Sequence, residues 1–166
     1  MKTSIVLLFF VSLSLVSQTA FTQENFRKTD IVTTVFKALK KQNEKKVLKT
    51  LPTKDDINFL IPLARGANTE ENIPEVDTII ANFKKAAIEN FKKVIKKGNT
   101  FGIQWDAIVL ENVRYEANPD PNIALERGNI ILVCSSKNKK FLITLRKTYK
   151  IRDYWRLMNT IKFTLL

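Results

Sequence analysis

The sequence contains no histidine, a single cysteine, 4 glycines and 5 prolines. Without histidine there is no Ser–His–Asp triad, no Cys–His pair, no histidine zinc site and no imidazole proton relay. One cysteine, Cys134, cannot build an intrachain disulfide framework. So few glycines leave little backbone for a phosphate cradle, and no Walker loop, G-x-G-x-x-G or EF-hand pattern occurs. Scarce Gly and Pro exclude collagen and low-complexity tails, and a hydrophobic content of 45% excludes wholesale disorder. No Asn-x-Ser/Thr sequon is present, which favours a bacterial over a eukaryotic secreted chain. No cofactor and no metal is expected from this inventory.

Long apolar runs are also scarce. The one at the start, IVLLFFVSLSLV (Ile5–Val16), follows Lys2. A bilayer span needs about 20 residues, so this run is too short to be one. It fits the apolar core of a signal peptide over residues 1–22. Ala20 and Thr22 suit the −3 and −1 positions of cleavage before Gln23; cleavage after Ala20 is the alternative, and a buried N-terminal helix is the competing reading. No cysteine near the cleavage zone offers a lipid anchor, and no second run is long enough to span a membrane. The expectation is a soluble exported protein, periplasmic or secreted and not lipid-anchored, with one domain over residues 23–166. A domain of that size buries roughly 68–70% of its unfolded surface, so it needs no disulfide staple.

Helical spacing comes first. In Asp30–Lys41, Val32, Val35, Phe36 and Leu39 share one stripe, and Asp30 is placed to cap the first turn. Asn43–Leu51 reads as a second helix stopped by Pro52. Thr-Lys-Asp-Asp from Thr53 resembles a capping box, with Asp56 in the usual Glu position, for a third short helix carrying Ile57, Leu60 and Ile61. Residues 65–73 read as a loop. Glu75–Lys97 is the longest helix, with Ile79, Ile80, Phe83, Ala87, Phe91, Val94 and Ile95 on one stripe and Gly98 as its stop.

After Gly98 the pattern alternates. Phe101–Glu116 reads as a long strand, NPDPN (Asn118–Asn122) as a turn, and IILVC (Ile130–Cys134) as a central strand covered on both faces. Ser136–Lys140 is a hairpin turn, Phe141, Ile143 and Leu145 mark the next strand, and Trp155, Leu157, Ile161 and Phe163 mark the last. The fold class is therefore α+β: N-terminal helices, one of them long, packed on a curved four-stranded antiparallel sheet.

The segments GIQWDAIVLENVRYE (Gly102–Glu116) and KKFLITLRKTYKIRDYWRL (Lys139–Leu157), following those helices, give a layout that resembles the cystatin-like cone fold. This is the superfamily of nuclear transport factor 2 and the ketosteroid isomerases, and similar segments occur in small exported bacterial proteins. The resemblance implies a strongly curved sheet wrapped around the long helix and a pocket at the wide end. It names no activity, because that superfamily holds isomerases, dehydratases, binding modules and scaffolds.

Several side chains are candidates for a site. Asn159 breaks the apolar row of the last strand, and Asn90 sits beside the stripe of the long helix; each is a pocket group, a core amide satisfied by backbone or a residue at a bulge. Val109, Glu111, Val113 and Tyr115 are in phase. An inward Glu111 would have a raised pKa and serve as general base, with Tyr115 donating to an oxyanion. Ile108 and Leu110 have the opposite phase, so a bulge that turns Glu111 outward is the competing reading. Trp105 and Trp155 are stacking surfaces for a flat ligand or core residues. Cys134 reads as an inert packing residue.

Lys and Arg outnumber Asp and Glu by 28 to 16, a net charge of +12. Lys92, Lys93, Lys96 and Lys97 lie largely opposite the apolar stripe of the long helix, and Arg146 and Arg156 fall on the expected outward face of the last two strands, beside Thr144, Thr148, Thr160 and Lys162. These make either a solvated face or an anion-attracting surface for lipopolysaccharide, acidic glycan or anionic lipid. Export argues against nucleic acid. The functional expectation is a non-enzymatic domain that binds a small apolar ligand or an anionic envelope component. The alternatives are an isomerase- or dehydratase-like enzyme using a carboxylate base, and a basic surface-associated protein.

Overall fold

The computed structural model describes residues 26–67, 73–119 and 123–166. The expected signal peptide (1–22), most of the expected 65–73 loop and the last three residues of the NPDPN turn lie outside the described residues. Those residues form four α-helices and one open antiparallel sheet of five strands, so the α+β class holds.

Helix α1 (Asp30–Lys40) is the one the core is built around. Ile31, Val32, Val35, Ala38 and Leu39 are all 2% exposed or less, a full apolar stripe sealed from water. Asp30 lies inside the first turn, and the cap position belongs to Thr29, whose hydroxyl donates to the Phe26 carbonyl at 2.7 Å. Asp30 therefore acts through the helix dipole and not as a cap. The expected second helix splits into α2 (Glu44–Val47) and a 3-10 turn, Leu48–Thr50. The Thr50 hydroxyl donates back to the Val47 carbonyl and tightens that turn.

Helix α3 (Lys54–Ala67) starts as the sequence predicts. The Thr53 N–H donates to Asp56 Oδ2 at 2.9 Å, and the Asp56 N–H donates to Thr53 Oγ1 at 3.2 Å. The shorter Asp side chain works in this box because Arg156 clamps the same oxygen from across the fold at 2.8 Å. The helix runs through Pro62 and over Arg65–Ala67, which the sequence reads as loop.

Helix α4 (Val76–Thr100) passes through Gly98. Gly98 is not a stop but a contact: a Cβ there would lie inside the indole of the buried Trp105. Only Ala87, Phe91, Val94 and Gly98 of this helix are buried. Its N-terminal half, with Ile79, Ile80 and Phe83, stays partly exposed. The long helix is thus buried mainly over its C-terminal half, with Phe83 packed at the edge of the core.

The strands are β1 (Val109–Ala117), β2 (Arg127–Ser136), β3 (Lys139–Ile151), β4 (Tyr154–Leu157) and β5 (Ile161–Leu165). The expected first strand begins late, because Trp105–Ala107 forms a 3-10 turn. The expected last strand breaks in two, giving five strands in place of four. Both pieces lie along β3: β4 on Thr148–Ile151 and β5 on Phe141–Leu145. Beside that break, β3 takes a positive φ of 50° at Lys147, and β2 shifts register between Gly128 and Ile130. Three neighbouring strands are interrupted along one line. Bulges of this kind bend a sheet, so one portion carries β5 against α4 and the other carries β4 against α1 and the Leu48–Thr50 turn.

The line also shifts which residues are buried. Phe141, Ile143 and Leu145 are buried before it, and Thr148 and Ile151 after it. Thr148, expected outward, is fully buried and donates its hydroxyl to the Gly128 carbonyl at 2.9 Å. In β2, Ile130–Leu132 and Cys134 are buried and Val133 half-buried, in keeping with a strand covered on both faces.

Candidate functional site

The structure does not bring the interior candidates together as a pocket. Between Leu110 and Asn112 the β1–β2 register shifts, and this bulge turns Glu111 outward. Its carboxylate pairs with Lys140 on the neighbouring face at 3.5 Å. Tyr115 goes the other way. Its ring stacks on Phe26 with centroids 4.6 Å apart and meets Trp155 edge-on at 5.3 Å. The acid and the phenol that a carboxylate-base enzyme would need are therefore on opposite sides of β1. The Tyr115 hydroxyl is buried without a hydrogen-bond partner among the described residues, and its pKa is pushed up to about 12 by burial, with the Glu126 charge adding to it.

Trp105 is core. It meets Phe141 and Phe163 edge-on at 5.9 and 6.2 Å, and its indole N–H donates to Asn99 Oδ1 at 2.9 Å. Trp155 is half-buried in the Phe26–Tyr115 stack. Asn90 is an amide satisfied by backbone: its Oδ1 accepts the Ile161 N–H at 2.6 Å and ties α4 to the start of β5. Asn159 is exposed, at the break between β4 and β5. Cys134 is buried, and burial together with the Glu111 charge raises its thiol pKa to about 12, which leaves no thiolate for chemistry near neutral pH.

What the structure does assemble is basic. A groove of about 240 Å³ runs between α4 and β5, lined by Asn90, Lys93, Val94, Lys97, Arg146, Thr160, Ile161, Lys162 and Phe163. Four of these are cations and none is an acid. Lys93 and Lys97 come from one flank of α4, spaced one turn apart. Lys162 stands out of β5 between the buried Ile161 and Phe163, as strand alternation requires. Arg146 comes from the β3 interruption, where its N–H donates to the Thr160 carbonyl at 3.0 Å. Lys97 Nζ lies 3.4 Å from the Phe163 carbonyl, which holds its ammonium over the groove. No ion pair neutralises Lys93, Lys97, Arg146 or Lys162 among the described residues.

The other expected cations lie elsewhere. Lys92 and Lys96 open on the opposite flank of α4, in a depression with Gln42 and Glu44, and Lys92 pairs with Glu44 at 3.4 Å. Arg156 is engaged by Asp56, both largely buried. The sequence reading places Lys162 on the outward face but leaves it out of the anion set. The signal was there: it has the same strand phase as Thr160, and the pairing of β3 with β5 sets it opposite Thr144, two residues from Arg146.

A second cleft, of about 380 Å³, opens between the start of α1, the Leu48–Thr50 turn and β4. Asp30, Lys49, Asp153 and Arg156 set both signs of charge in it, beside Thr29, Thr34 and Thr50. Mixed charge gives it no preference for an anion. Neither cleft holds a cluster of groups fit for a metal among the described residues, and no described helix is long and apolar enough to cross a membrane. No family model, no curated protein and no solved structure matches this chain.

Proposed function

We propose that the chain is an exported, non-enzymatic binding domain that takes an anionic ligand or envelope component in the groove between α4 and β5. The observation that carries this reading is the set Lys93, Lys97, Arg146 and Lys162, four cations around one concave surface with no carboxylate among its lining. Like charges so close repel one another. An anionic group seated among them relieves that repulsion and gains charge-assisted hydrogen bonds. The outward Glu111 and the stacked Tyr115 weigh against the enzyme alternative. Export rests on the Lys2 to Thr22 pattern, and a cone-like wrap of the sheet is part of the same proposal, supported by the helix order and by the three interruptions that bend the sheet.

The test uses the split between the two lysine pairs. Lys93→Gln with Lys97→Gln strips one wall of the groove, whereas Lys92→Gln with Lys96→Gln removes the same charge from the opposite flank. Retention on heparin, read as the eluting salt concentration, falls clearly for the first pair and only slightly for the second. Equal losses from both pairs mean a diffuse charge effect and no groove.

A further inference from the structure

We infer that the anion met by this groove belongs to a lipid bilayer, and that one end of the sheet rests on the bilayer surface. This builds on the groove reading above and names its partner. Six large hydrophobic side chains are exposed in the described fold: Phe59, Phe101, Val109, Tyr154, Leu165 and Leu166. Four of them collect at a single end. Val109 opens β1 opposite Ser135, next to the β2–β3 turn. Leu165 lies opposite Phe141 at the start of β3, and the Leu166 N–H donates to the Lys140 carbonyl at 3.0 Å. Phe101, just past α4, stacks on Phe163 at 5.9 Å, and its carbonyl accepts from Lys139 Nζ at 2.5 Å. This end is therefore apolar at its tip, with Val109 at 57% and Phe101 and Leu165 at 37% exposure.

Cations surround the tip. Lys137 and Lys139 come from the hairpin, Lys97 reaches the Phe163 carbonyl and so borders both the tip and the groove, and Lys140 is spent on an ion pair. Two acids lie nearby in sequence, Glu111 and Asp106; the first is neutralised by Lys140. A soluble polyanion satisfies the lysines and leaves Phe101, Leu165, Leu166 and Val109 in water. A bilayer with anionic headgroups satisfies both, since the headgroups meet the cations and the leucines and phenylalanine enter the acyl boundary. Apolar side chains ringed by lysine are the arrangement that an interface rewards and a free polymer does not.

The experiment is cosedimentation of the exported chain with vesicles, one set of neutral phosphatidylcholine and one with a third phosphatidylglycerol, run beside heparin retention. The chain binds the anionic vesicles and not the neutral ones. Phe101→Ser with Leu165→Ser lowers vesicle binding by tenfold or more and leaves heparin retention unchanged. Because Phe101 contacts the core residue Phe163, Val109→Thr with Leu166→Ser is the second variant; it touches only exposed positions and gives a smaller loss of the same kind. Vesicle binding unaltered by both variants overturns the bilayer and leaves the groove standing. Heparin retention unaltered when Lys93, Lys97, Arg146 and Lys162 all become Gln removes the groove, and the bilayer inference with it.

Discussion

Tyr115 carries a hydroxyl that is inaccessible to water and bonded to nothing among the described residues. An unmet polar group of that kind costs about 1–3 kcal/mol relative to a satisfied one. Tyr115→Phe keeps the ring in its stack with Phe26 and Trp155 and removes the cost. The expected outcome is a gain of about 1 kcal/mol in urea unfolding at neutral pH. The same residue sets part of the alkaline behaviour. Tyr115 and Cys134 both titrate near pH 12 in the fold, above their ordinary values of 10.0 and 9.0. Above those ordinary values the unfolded chain sheds protons that the folded chain keeps, so stability falls as pH rises. Unfolding free energy is therefore flat with respect to these two groups below pH 9 and declines from there toward 12. In Tyr115→Phe the decline keeps only the Cys134 share, and denaturant midpoints at neutral pH and at about pH 10.5 read the difference. At this scale much was legible. The conflict of phase between Ile108 and Leu110 on one side and Val113 and Tyr115 on the other already points to a bulge, and the bulge decides which way Glu111 faces. The missing partner of the Tyr115 hydroxyl was not legible, because it depends on what packs over the ring.

Helix α4 shows what a sequence reveals about an element and what it hides. Its apolar stripe and terminal charges gave its place to within a few residues, since helical periodicity is a local property. The role of Gly98 was hidden, because it is set by a side chain seven positions further on. Trp105 lies against the helix where a Cβ would stand, and its N–H is held by Asn99 of the same helix. Gly98→Ala raises helix propensity by about 1 kcal/mol, but it also drives a methyl into a fully packed indole, a strain of about 3 kcal/mol or more. The packing term is the larger, so the variant is less stable, and the near-ultraviolet circular dichroism of Trp105 shifts along with the melting point. A variant as stable as the parent means that the indole has room to move aside. The α+β order, the Thr53–Asp56 box and the central strand were likewise readable from local pattern. The split of the last strand was only hinted at, by Asn159 interrupting the apolar row. Met158–Thr160 carries no Gly or Pro to announce a break; the break is shared with Lys147 of β3 and with Gly128 of β2, and such a line exists only once the strands are side by side. The groove has the same origin, for Lys162 and Arg146 meet Lys93 and Lys97 only after that bend brings β5 onto α4.

The molecule as a whole carries +12, and a compact state with that charge repels itself. Salt relieves the repulsion: the Debye length falls from about 30 Å at 0.01 M to about 8 Å at physiological strength. The melting temperature therefore rises by a few degrees across that range, a modest effect because most of the cations are exposed. The four cations of the groove make a sharper prediction, since they add to repulsion when empty and, on the proposed reading, hold an anion when filled. With Lys93, Lys97, Arg146 and Lys162 all changed to Gln, the free chain melts at a higher temperature than the parent at low salt. Added heparin at physiological ionic strength raises the parent's melting point beyond the salt effect, because a ligand at a hundred times its Kd adds about 2.7 kcal/mol to the folded state. The same addition leaves the fourfold variant nearly where it was. One set of substitutions thus stabilises the empty protein and abolishes stabilisation of the loaded one, a pair of opposite signs that a purely structural role does not produce. If the free variant instead melts lower at low salt, these side chains are holding the fold, with the Lys97 contact to the Phe163 carbonyl the first suspect.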